Sequence, residues 1–200
     1  GSDKSVVALA RRRGVDVSPN ALSHRQTPSL VALAAERRML GEAAAPSVTT
    51  QPASVVRVVE LFGASASGEL ELDCRKTRRR FATIQLLAML LYHLHATAEC
   101  EHGGRVPEVV VAVPQHYSVR QRQAVVDATR VACVRCLRLV SEGAAAAIEY
   151  AFSRRALLDS VSARYVVFIA AGHSGVPATV VALRTEGLRA LAYAHATRRV

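Results

Sequence analysis

An α/β fold is predicted by three features of the 200-residue sequence. A valine-rich run at 108–113 lies between Pro107 and Pro114, the form of a strand buried on both faces of a parallel sheet. Ser118 and Gln121 then stand at capping-box spacing and open a helix through Val131. A second short buried strand at 137–140 leads into a helix at 142–152, giving the order strand, helix, strand, helix.

The elements before this unit follow from local signals. Residues 5–10 and 15–17 flank Arg13-Gly14 as a β-hairpin, because glycine accepts a positive φ. Residues 27–33 read as extended. Residues 36–39 read as a turn ending at Gly41, with a short helix at 42–45 and another at 54–62 stopped by Gly63. The segment 69–80 alternates and turns basic, as a hairpin or loop. From 83 to 99, Leu87, Leu90, Leu91 and Leu94 recur at helical spacing with no glycine or proline before Gly103. After a polar linker at 153–163, runs at 165–170, 178–183 and 188–194 form a β-meander with a turn at Glu186-Gly187. No helix follows to cover that sheet.

Composition narrows the function classes. No apolar run approaches the roughly 20 residues that span a bilayer, and no signal-peptide pattern stands at the N-terminus, so the chain reads as cytoplasmic. Gly1-Ser2 reads as a cloning remnant. Four cysteines do not make a disulfide framework; Cys133 and Cys136 have redox or metal spacing without a second pair. His93 and His95 lie two apart on a helix, the wrong spacing for one face, so a metal site with Cys100 and His102 is not expected. The net charge is +10, concentrated at Arg11-Arg12-Arg13 and at Arg75, Lys76, Arg78, Arg79 and Arg80. Such a patch suits an acidic partner, nucleic acid or a ribosome, although no aromatic set is interleaved for base stacking. Serine-triad, metalloprotease and P-loop patterns are absent from the sequence.

The run Val113-Pro114-Gln115-His116-Tyr117, with Gln121-Arg122-Gln123-Ala124, Asp127-Ala128, Leu137 to Glu142 and Ala144 to Ile148, resembles the ATPase domain of the seventy-kilodalton heat-shock chaperones and their hundred-and-ten-kilodalton branch. Thr27-Pro28-Ser29, Leu40-Gly41-Glu42-Ala43-Ala44 and the helix from Phe81 extend the resemblance over nearly the whole chain. Gly172-His173-Ser174 is similar to the triplet of the larger branch. The resemblance implies an actin-like ATPase (ribonuclease H-like) fold: a first lobe over 3–160 without its first strand, and over 161–200 a meander from the start of the second lobe.

Position by position, the resemblance implies altered chemistry. Phosphoryl transfer in such a site is positioning and electrostatic stabilisation. Val59 stands at the family's catalytic lysine and Ala170 at the aspartate of its second phosphate loop, while Glu142 matches the glutamate of its Asn-Glu-Pro-Thr motif. Pro114, Arg122 and Glu142 match the interlobe relay, and Gly172, His173 and Ser174 fall in a nucleotide-binding segment. Each relay residue also has a purely structural reading, as strand end, solvated helix residue and helix N-terminal carboxylate. The expectation is therefore a chain that is not an enzyme, with no cofactor unless missing segments supply an ATP and magnesium site. It would act by protein contact in a co-chaperone or regulatory role, as the larger branch does through nucleotide exchange. The alternatives are a basic RNA- or ribosome-associated adaptor and an active ATPase with a compensated site. The expected partners are a protein, foremost a seventy-kilodalton chaperone, and a second copy recruited by strand edges left open without the first strand.

Overall fold

The computed structural model describes residues 3–12, 14–33, 37–64, 68–74, 77–173 and 175–197. Its contacts gather into two units, one of Gly1–Val109 with Ser118–Leu137 and the other of Val110–Tyr117 with Arg138–Val200.

The first unit begins with β1 (Lys4–Ser5), β2 (Val7–Arg11), β3 (Gly14–Ser18), β4 (Thr27–Pro28) and β5 (Leu30–Ala32). The expected hairpin is β2 against β3, running from Val7↔Ser18 to Arg11↔Gly14. β5 is buried along its length because it is flanked on both sides, by β6 (Met39–Leu40) and by β7 (Val55–Arg57). Leu30, Ala32 and Ala44 form a core there with Met39, Ala45 and Val55.

These pairings correct two readings. Met39 belongs to a strand rather than a turn, and the helix expected over 54–62 divides into β7 and α2 (Val58–Ala64), after a short α1 (Ser47–Thr50). The pairs Val31↔Val56 and Ala32↔Val55 supply ladder bonds that local propensity cannot foresee. Glu36, at the start of the expected turn, lies outside the described residues.

The segment 69–80 is a hairpin of β8 (Glu69–Cys74) and β9 (Thr77–Ala82). α3 (Thr83–His102) follows and buries Leu86, Leu87 and Leu90, leaving Leu91 and Leu94 half-buried. It stops at Gly103, whose φ of 73° is left-handed and whose N–H donates to the Glu99 carbonyl at 3.0 Å.

Between β10 (Val109–Val113) and β11 (Cys136–Ser141) lies α4 (Val119–Val131), which packs on α3 through Ala124, Val125 and Ala128. The capping box forms as expected: Gln121 N–H donates to Ser118 Oγ at 3.3 Å, and Ser118 N–H to Gln121 Oε1 at 2.8 Å. α4 ends like α3 but with a cysteine in the left-handed position, Cys133 at φ 57°. β10 and β11 are hydrogen-bonded neighbours, but not doubly buried. Val110 is 58% and Leu137 54% exposed; β10 alternates between a covered and an open face, whereas β11 exposes the adjacent Leu137 and Arg138.

The second unit adds α5 (Glu142–Ser153) and the meander β12 (Arg164–Ile169), β13 (Gly175–Arg184) and β14 (Gly187–Thr197), in the order β12-β13-β14. A bulge interrupts the β13–β14 register between Val180 and Val181. α5 packs on all three strands, so the meander is covered by a helix that precedes it in sequence. Ala147, Val181 and Leu183 are fully buried, with Tyr150, Val166 and Phe168 against them. Among the described residues no helix is long and apolar enough to cross a membrane.

Candidate functional site

The second unit holds a cavity of about 140 Å³ whose lining includes Gln115, Glu142, Ala170, Thr179 and Tyr193. β10 runs into Pro114, the residue before the lining Gln115, and Tyr117 N–H donates to the Pro114 carbonyl at 3.2 Å and tightens the loop. Glu142 opens α5, capped by Ser141, whose Oγ accepts from Ala144 N–H at 3.3 Å. A carboxylate at a helix N-terminus is favoured by the macrodipole. The next residue must be small, because a Cβ on Gly143 would collide with the Thr179 side chain.

Beside the cavity the loop residue His116 meets β14. Its Nδ1 and the Tyr193 hydroxyl share a hydrogen bond of 3.3 Å, and its ring lies 4.5 Å from that of His195, tilted by 31°. Burial first, and then His195, hold the His116 imidazolium below its ordinary range, while Glu142 opposes them. Burial pushes the Tyr117 phenol up to about 12, with Glu142 adding to the shift. Tyr193 is raised by the same two causes, opposed by the backbone of His116. One carboxylate beside two phenols and two imidazoles makes a site that can hold a proton.

The structure distributes the sequence-derived candidates between the units. Pro114, Glu142, Ala170, Gly172 and His173 lie in the second; Ser174 is outside the described residues. Ala170 N–H donates to the Pro177 carbonyl and Gly172 N–H to the Gly175 carbonyl, which closes the turn before β13. Val59, half-buried on α2, and Arg122, on α4, lie in the first unit. In the basic hairpin Arg80 pairs with Glu71 at 2.8 Å and Arg78 with Asp73 at 3.6 Å, while Arg79 is exposed. Arg75 and Lys76 lie outside the described residues.

His95 contacts the Val106 carbonyl at 2.8 Å, and His93 is lowered by burial next to Gly41. Among the described residues no group of three or more His, Cys, Asp or Glu side chains could hold a metal ion. Sequence reasoning did not single out Thr179, Tyr193 or His195. Only Tyr193 and His195 carried a local signal, as polar residues in an alanine-rich strand.

A family model described as Hsp70 protein matches residues 1–197. The chain belongs to the Hsp70 family. It is 31% identical to a heat shock protein homolog of Naumovozyma castellii over 98% of this chain and 32% of that relative. It is 29% identical to heat shock 70 kDa protein 16 of Arabidopsis thaliana over 97% of this chain and 28% of that one. The identity to heat shock 70 kDa protein 4 of Rattus norvegicus is 31%, over 98% and 26%. The chain thus spans about a third or less of the curated relatives it matches. Membership carries the actin-like ATPase fold, and the mixed α/β elements with several small sheets accord with it.

The same finding corrects the expectation that the chain is not an enzyme. The Hsp70 family is one of chaperone ATPases, and no observation shows inactivity. Hsp70 ATPase domains normally bind ATP with magnesium. The cavity beside Glu142, about 140 Å³, is below the roughly 300 Å³ of ordinary ligand pockets.

Proposed function

We propose that this chain is a chaperone-type nucleotide-binding-domain module that works through protein contact, in a regulatory or co-chaperone role towards a seventy-kilodalton chaperone in the cytoplasm. The open face of the meander supports this role above all. On β12, Tyr165, Val167 and Ile169 point to one side of the sheet and are 69%, 55% and 70% exposed. Across the ladder the same side continues through Ala182, Val180 and Ala178. An exposed apolar sheet face of this kind suits a protein contact.

Within this reading residues 3–160 are the first-lobe-like part and 161–200 the start of the second lobe. Pro114, Arg122 and Glu142 serve as the relay, and Gly172, His173 and Ser174 as nucleotide contacts. The assay is release of labelled nucleotide from a seventy-kilodalton chaperone. Acceleration by this chain, lost in Val167→Asp with its circular dichroism intact, is the expected result; no acceleration refutes the role. The net charge of +10 supports a second reading, an RNA- or ribosome-bound adaptor. It requires binding that weakens steeply with salt and is lost on neutralising Arg78, Arg79 and Arg80.

A further inference from the structure

The imidazole pair of the second unit has no part in the proposed contact surface, and its geometry stands independently of that reading. Two histidines from distant points in sequence are brought ring to ring, 4.5 Å between centroids, by the loop after β10 and by the end of β14. Tyr193, two residues before His195, closes the arrangement through its hydroxyl on His116 Nδ1. His195 is itself held in place. A Cβ on its neighbour Gly175 would lie 2.7 Å from His195 Nε2 and 2.5 Å from the Ala196 carbonyl oxygen, so β13 and β14 approach as closely as glycine allows.

We infer that His116, His195 and Tyr193 form an acid-sensitive latch that fastens the end of β14 to the loop after β10. The groups facing it come from every element packed there. β14 supplies Tyr193 and His195, the loop supplies Tyr117, and α5 supplies Glu142, the one anion acting on His116. With both rings neutral, the stack and the tyrosine bond coexist. One proton on the pair is offset by Glu142. A second places two like charges at stacking distance, which weakens the contact between the rings. Because folding holds His116 below the imidazole value of an unfolded chain, the stabilisation is complete above that value and is lost as pH falls through the folded one.

Two measurements on the intact chain test this. In a proton NMR titration His116 should titrate below the ordinary imidazole range and move up towards it in His195→Gln. Amides at residues 193–196 should lose exchange protection between about pH 7 and about pH 5. In the double variant His116→Gln/His195→Gln that loss should disappear. Tyr193→Phe keeps the ring and removes the hydroxyl bond; there the response to His195→Gln should persist. A His116 midpoint indifferent to His195, or an acid-induced loss of protection unchanged in the double variant, would overturn the latch.

Discussion

The two units are built on different terms. The first is held by large apolar side chains: Phe62, Leu33, Leu86, Leu90, Val31 and Val58 are all buried to the point of losing contact with solvent. In the second, Leu183 and Val181 alone among the described residues are large and that deeply buried, and much of the remaining order comes from close approach and polar contact. Gly143 sits against Thr179, Gly175 against His195, and His116 against Tyr193. A small unit that cannot bury much apolar surface must specify itself by fit instead. The second unit should therefore be the more sensitive of the two to changes at its close contacts.

The largest loss of stability is expected in the first core. Phe62→Ala should cost about 3–5 kcal/mol, read as a lowered denaturation midpoint. Leu183→Ala should cost about 2–5 kcal/mol, with exchange protection lost across β12 to β14 before it is lost in α3. A mutation that melted both units together would deny their independence. Gly143→Val should cost about 1–3 kcal/mol by overpacking, and a second change, Thr179→Ala, should restore part of it in a double-mutant cycle. The smallest effect belongs to a helix end. Cys133→Gly relieves a left-handed residue and should stabilise α4 by about 1 kcal/mol, whereas Gly103→Ala, with its φ of 73°, should destabilise α3 by a similar amount.

Acid sharpens the same contrast. His93 in the first unit and His116 in the second are both lowered, so the unfolded chain binds more protons near the ordinary imidazole value and stability declines on acidification in both. Their causes differ. His93 responds to burial alone, and Glu142→Gln should leave its NMR titration unmoved. The same substitution should lower the His116 midpoint, because it removes the anion that favours the charged ring.

What was legible in the sequence was whatever a few neighbouring residues decide. Ser118 with Gln121 set the start of α4, Gly103 the end of α3, and Glu186-Gly187 the last hairpin. Val55-Val56 was misread because valines suit a helix end or a strand, and the choice was made by β5, which is distant in sequence. The valine run of β10 suggested burial on both faces, whereas its alternation of exposure follows from having one face covered. The family motifs located Pro114 and Glu142, but not the side chains that face them. His116 meets His195 only through the completed meander.

That meeting depends on the bulge at Val180/Val181. Val180 pairs with Ala192 and Val181 with Ala190, so Leu191 is a supernumerary residue in β14. Were it threaded into the ladder instead, strict two-residue alternation from Leu188 would turn Ala192 and Ala194 inward and present Tyr193 and His195 to the opposite side. Leu191 is thus a phase shifter: by stepping out of the ladder it lets odd-numbered positions after it face the way that even-numbered ones face before it.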